Sequence, residues 1–268
     1  MLRTRIIPAL LLDDGALVKT RGFTRKRYVG DPCNTLRIFN ELQVDELAVL
    51  DISATPQGRE PDWRLLRDIA SECFMPLSYG GGITGLEHAR RLFDTGFEKV
   101  VLNSKTYDEP EVVTRIASIY GSQAVVASID VAKGWFGREK LVSRSAKRSH
   151  RMLPEEWARH LEERGAGEIL LTSVSREGSW EGYDIDLIRR VSDAVDIPVV
   201  AQGGAGSVND LVAAVRDGGA SSVALGSMVV FQKKDFGVLV NFPEHETLRS
   251  AFSEVEERAS ELRLGKPE

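Results

Sequence analysis

The chain has 268 residues, 42% of them hydrophobic, which suits one large domain with a substantial buried core. A formal charge of −5 offers no electrostatic footprint for nucleic acid, and no apolar run is long enough to span a bilayer. The N-terminal MLRTRIIPALLL runs straight into Asp13–Asp14 without a small-residue cleavage site, so no signal peptide is expected, and the two cysteines, Cys33 and Cys73, read as buried free thiols of a reducing cytoplasm.

Strand and helix signals alternate along the chain. Ile6–Leu12 is a first apolar run. Asp31-Pro32 then supplies an N-cap and a proline at the first helical position for a helix to about Gln43. Leu47–Ile52 is the second strand, and Trp63–Cys73 has helical spacing. Phe74–Tyr79 is the third strand, ended by Gly80–Gly82. Thr84 with Glu87 forms a capping box for a helix to about Thr95. Lys99–Asn103 is the fourth strand, and Asp108 with Glu111 caps the next helix. Ala124–Asp130 is the fifth strand, followed by a long polar loop to about Leu153 and a helix over Pro154–Arg164. Glu168–Ser173, Ile197–Gln202 and Ser222–Ser227 are strands six to eight. Helices over Ile185–Ala194 and Ser207–Asp217 separate them, and a last helix covers about Glu244–Leu262. Arginine clusters at Arg21–Arg27 and Arg144–Arg151 read as anion-attracting loops or as plain solvated charge.

Eight buried strands, each followed by a helix, predict an α/β fold of the (β/α)8 barrel type, with an open doubly wound sheet as the alternative. The halves repeat. VDELAVLD at Val44–Asp51 resembles AGEILLTS at Ala166–Ser173, PLSYGGG at Pro76–Gly82 resembles PVVAQGG at Pro198–Gly204, and KVVLNS at Lys99–Ser104 resembles SVALGS at Ser222–Ser227. A single domain is expected over 1–268, made of half-barrels over about 1–122 and 123–245.

In such barrels chemistry sits at the C-terminal ends of the strands. Gly81–Gly82 with Asn103–Ser104, and Gly203–Gly204 with Gly226–Ser227, form two glycine-rich clusters on opposite sides. Bare backbone N–H groups and hydroxyls suit the oxygens of a substrate carrying a phosphate at each end; tight turns alone are the plainer reading. Gly178 and Thr172, after and within strand six, belong to the same rim. Asp130 ends strand five as a general acid or base, or as a simple capping carboxylate. At the opposite ends, Arg5, Glu46, Lys99 and Glu168 open strands one, two, four and six. They form either a ring of ion pairs gating a central passage or scattered surface charge. Trp135 and Trp180 fall in the loops after strands five and six, and loop packing is favoured over covering a substrate ring. The four histidines show no ligand spacing, so neither a metal nor a cofactor is expected.

RIIP at Arg5–Pro8, DELAVLDI at Asp45–Ile52, YGGGI at Tyr79–Ile83, GAGEILLTS at Gly165–Ser173, EGYD at Glu181–Asp184 and GGAGS at Gly203–Ser207 together resemble the cyclase subunit of imidazole glycerol phosphate synthase, from Met1 to about Val230. The resemblance implies a barrel that takes ammonia from a glutaminase subunit docked on its N-terminal face. It also implies delivery of that ammonia to a ribulosyl-carboxamide with two phosphates. Arg5, Glu46, Lys99 and Glu168 match that family's gate; Lys19, Asp51 and the catalytic Asp130 match as well.

Leu11 stands where the family carries a second catalytic aspartate, and a leucine moves no proton. Asp13 is the substitute considered, but it lies about 6.6 Å further along the strand. Ser175 replaces another family aspartate, Glu177 replaces a third conservatively, and Phe231–Pro243 departs from the histidine-pathway enzyme. The combination resembles paralogues in bacterial surface-glycan loci, thought to supply ammonia for acetamidino modification of a sugar. Three readings stay open: such an ammonia-channelling paralogue, a genuine cyclase of histidine biosynthesis, and a non-catalytic activator of the glutaminase.

Overall fold

A computed structural model describes residues 4–134, 137–143 and 147–253. The chain opens on β1 (Arg5–Asp13), the first barrel strand. It turns back at once into an antiparallel hairpin, β2 (Ala16–Arg21) and β3 (Thr24–Gly30). Asp31 then caps α1 (Pro32–Glu41), its side chain accepting from the Asn34 N–H, with proline at the first helical position. β4 (Leu47–Asp51), the short α2 (Ala54–Gln57) and α3 (Trp63–Glu72) follow, and Asp62 caps α3. β5 (Leu77–Gly80), α4 (Leu86–Thr95), β6 (Lys99–Leu102), α5 (Ser104–Asp108) and α6 (Glu111–Tyr120) complete the first half.

The second half repeats the plan, hairpin included. β7 (Val125–Lys133) extends beyond the barrel as β1 does and pairs antiparallel with β8 (Glu139–Ser143), which pairs with β9 (Arg148–His150). Then come α7 (Pro154–Glu163), β10 (Glu168–Ser173), α8 (Ile185–Ser192), β11 (Val199–Gln202), α9 (Val208–Arg216) and β12 (Ser222–Leu225). Ser207 and Asp210 cap α9 reciprocally, and Asp184 caps α8.

β1, β4, β5, β6, β7, β10, β11 and β12 pair in parallel in that order, and β12 returns to β1 through Arg5↔Ser222 to Pro8↔Leu225. The sheet is closed: a (β/α)8 barrel, not an open doubly wound sheet. The strands lack polar alternation because both faces are buried. Outward residues such as Leu10, Val49 and Ile169 pack under the helices, while Ile7, Ala9, Ala48, Val101, Val126, Leu170, Val200 and Ala224 fill the interior.

Several boundaries move. The third strand starts at Leu77, and Phe74 is 90% exposed instead of opening it. Thr84 and Glu87 form no capping box: Gly85 precedes α4 with no side-chain cap, and Thr84 lies against His88. Asp108 does not cap α6, whose cap is Pro110; Asp108 ends α5 and pairs with Arg148 at 2.6 Å. The arginines at 21–27 lie on the β2–β3 hairpin, and the polar stretch after strand five carries β8 and β9, so neither is a loop. Cys33 and Cys73 are free thiols but only partly buried. The last helix is described over 245–253; its expected continuation, Trp135 and Arg144 lie outside the described residues. Trp180 packs against the core with φ +64°, a loop-packing role. Among the described residues no helix is long and apolar enough to cross a membrane.

Candidate functional site

Every second residue of a barrel strand faces inward, so the strands stack side chains in layers. The layer at the strand starts is ionic. Arg5 bonds both Glu46 and Glu168, and the Lys99 ammonium lies 2.9 Å from each Glu46 oxygen and 3.1 Å from Glu168. The four residues make one closed ring of alternating sign, with Glu46 4% and Glu168 6% exposed. The middle layer is mostly apolar, with the small side chains Ala9, Ala48 and Ala224, and the buried serines Ser78, Ser128 and Ser222 stand in register with Ala48, Leu170 and Val200. The layer at the strand ends is mixed: Leu11, Leu50, Asp130, Thr172 and Gln202 line a cavity of about 510 Å³.

Asp130 occupies the floor of that cavity. Asn103 donates to its carboxylate at 3.2 Å and to the Ser128 carbonyl at 3.0 Å. Burial pushes the Asp130 pKa up to about 7, against the lowering effect of hydrogen bonds from Thr172 and Ser128. A carboxyl poised near neutrality can give or take a proton. It also has a stability signature. The folded-state pKa lies above the unfolded value, so below about pH 4 both states are protonated and nothing is lost. From about pH 4 to 7 the unfolded chain ionises first and stability falls. Asp130→Asn is therefore expected to raise thermal stability at pH 8, on the order of 2–4 kcal/mol, and to leave it near wild type at pH 4. Melting curves across this range check the sign.

The two glycine turns have matching geometry. Gly81 and Gly82 sit at φ +123° and +69°, Gly203 and Gly204 at +97° and +113°. A Cβ on Gly81 would lie 2.4 Å from the Asp51 carbonyl, and one on Gly203 2.7 Å from that of Ser173. One on Gly82 would meet the Arg59 carbonyl at 2.8 Å, and one on Gly204 that of Gly182 at 2.1 Å. Packing alone thus demands glycine at all four positions. The first turn, with Asn103 and Ser104, opens onto the large cavity, although the Gly82 N–H already donates to Thr55 at 3.1 Å.

The second turn is closed in. Lys19, Gly178, Gly203, Gly204, Gly226 and Ser227 surround a space of only about 20 Å³, together with Glu177. Lys19 is buried, its ammonium bonded to the Ala9 carbonyl and its pKa lowered to about 8 by burial. Burial also raises Glu177, which accepts from the Phe23 N–H at 3.3 Å and so ties the β2–β3 hairpin to the loop after β10. A phosphate at this turn requires the Lys19 side chain to move aside, since the space holds about one water.

Two expected site residues are engaged elsewhere. Asp51 spends its Oδ1 on the Ser53 N–H, the Ser53 hydroxyl and the Ala54 N–H at 2.8–2.9 Å, and its Oδ2 lies 3.6 Å from Arg59; it braces the turn into α2 at the cavity edge. Asp13 pairs with Lys26 at 2.7 Å and does not line the cavity, so the structure does not bring it beside Asp130. Arg59, Lys105 and Gln202 do line the cavity and were not expected. Each is a single polar residue without a pattern, and only the closed barrel brings it to the rim.

A closed parallel barrel with an acid at one strand end and paired glycine turns defines a (β/α)8 scaffold whose candidate site lies at the C-terminal ends of the strands. The chain belongs to the histidine biosynthesis protein family, whose model matches residues 5–235. It is 46% identical over 244 residues to a Pseudomonas aeruginosa protein named for imidazole glycerol phosphate synthase subunit hisF2, covering 91% of this chain and 97% of that one. It is 43% identical over 254 residues to a HisF-named protein of Leptospira interrogans, covering 94% and 100%, and 40% identical to a hisF3-named protein of Vibrio vulnificus, covering 94% and 97%. Within its family it is a HisF-like cyclase-type subunit.

Proposed function

We propose that this chain receives ammonia from a glutaminase docked on its N-terminal face and passes it through the barrel to a phosphorylated-ligand site at the C-terminal face. The observation that carries this reading is the ring of Arg5, Glu46, Lys99 and Glu168, closed across one end of a largely apolar interior whose other end is the Asp130 cavity. Such a ring adds little stability over an apolar layer, so a gating role explains it better. Neutral ammonia can cross an apolar interior that excludes ammonium. With Leu11 in place of a second acid, the ammonia serves acetamidino modification of a surface-glycan sugar rather than ring closure.

A second reading, the imidazole-forming cyclase of histidine biosynthesis, is favoured by Asp130 alone, which is held near neutrality. The docking face supplies the test. Phe74 stands 90% exposed just before β5, at the same end of the barrel as the ring. Exposed aromatics of this kind act as interface anchors, so Phe74→Asp is expected to weaken glutaminase binding about tenfold or more, measured by titration calorimetry. Unchanged affinity would move the docking site away from this face.

A further inference from the structure

The large cavity and the small space behind the second glycine turn are separate, yet among the described residues Leu11 and Gln202 line both. Any ligand that spans the two glycine turns must pass between these side chains. Leu11 offers only carbon. Gln202 is different: it is 9% exposed, and its Oε1 is buried without a hydrogen-bond partner. A buried amide oxygen left unpaired carries a real cost. Nothing in the fold explains the choice of glutamine here, since a leucine would pack at this level without that cost.

Strand register fixes what surrounds it. Gln202 pairs with Thr172 on one side and Ala224 on the other, and Thr172 pairs with Asp130. Asp130, Thr172 and Gln202 therefore stand in one row across three adjacent strands, an acid, a hydroxyl and an amide at the same height in the barrel. Thr172 is already engaged with Asp130. Of the three, only the amide has a buried polar atom without a partner.

We propose that Gln202 is a specificity-determining residue, reading a hydroxyl group on the central carbons of a ligand that carries a phosphate at each end. An amide matches a hydroxyl because each can both donate and accept. Leu11 packs against the carbon on the other side of the same passage. The selected class is a hydroxylated chain, a sugar bisphosphate or its open-chain form, and a bare alkyl bisphosphate is disfavoured because it leaves the amide unpaired. The inference rests on the phosphorylated-ligand site proposed above, taken to hold a phosphate at each of the two glycine turns.

Calorimetric binding to the full chain tests it with two open-chain probes of matched length, mannitol 1,6-bisphosphate and 1,6-hexanediol bisphosphate. Wild type is expected to bind the hydroxylated probe about tenfold or more tightly than the alkyl probe. Gln202→Leu is expected to remove that preference while still binding the alkyl probe, which shows that the variant is folded and its phosphate contacts are intact. Gln202→Asn should keep part of it. A Gln202→Leu variant with the full wild-type preference, or a wild type that binds both probes equally, overturns the role of Gln202 alone. Binding of neither probe to wild type overturns the two-ended site, and the proposal with it.

Discussion

Leu11→Asp is expected to raise ammonia-dependent imidazole formation about 100-fold or more over the wild-type chain, the range a single positioned acid or base contributes. Leu11 is 6% exposed and faces the same cavity as Asp130. Among the described residues of the inward layer at the strand ends, Asp130 is the one that can exchange a proton near neutral pH. Burial holds its pKa near neutrality, so it can serve as acid or base but not as both in one step. A carboxylate at position 11 would supply the missing partner, and burial would raise its pKa as it raises that of Asp130. The measurement is the rate of imidazole product with glutaminase, glutamine and the cyclase substrate. A wild type already as fast as the variant would show that ring closure needs no acid at this position.

Lys99→Ala carries the second large effect. Lys99 holds both glutamates of the ring, at 2.9 Å and 3.1 Å, and its removal leaves Arg5 to pair with both. Stability falls by up to about 3 kcal/mol, less than for a fully buried pair because Arg5 and Lys99 are partly exposed. The functional effect is larger. With the ring opened, ammonia made by the glutaminase escapes to bulk water, so glutamine hydrolysis continues while transfer to the acceptor drops about tenfold or more. The ratio of free ammonia to transferred nitrogen, measured in one reaction, separates leakage from simple loss of activity.

The fold was legible because parallel barrel strands are buried on both faces and so read as plain apolar runs, and because the halves repeat. The ring was legible for a related reason: Arg5, Glu46, Lys99 and Glu168 each break such a run at its first residue. The hairpins were not. β3 exposes Thr24, Arg25, Lys26, Arg27 and Tyr28 in succession, so it lacks the alternation that marks a half-buried strand. The caps at Thr84 and Asp108 misled because the right residue types occurred at the right spacing, while Gly85 and Pro110 set the true helix starts. Asp51 shows a different limit. The sequence places a carboxylate at a strand end, but only the structure shows its oxygens committed to Ser53, Ala54 and Arg59. Gln202 shows the converse: it was read as the last residue of a strand, and its unpaired amide emerges only once β10, β11 and β12 are aligned.

The central claim is that ammonia crosses this barrel and is used for something other than imidazole. Its most direct test reconstitutes the chain with its glutaminase and an amidating enzyme acting on an acetamido sugar, with amide-15N glutamine in excess unlabelled ammonium. Mass spectrometry of the products then reports the source of each nitrogen. The account predicts 15N in the acetamidino group and no imidazole glycerol phosphate when the cyclase substrate is also present. Unlabelled nitrogen in the sugar, together with 15N in an imidazole product, would contradict it.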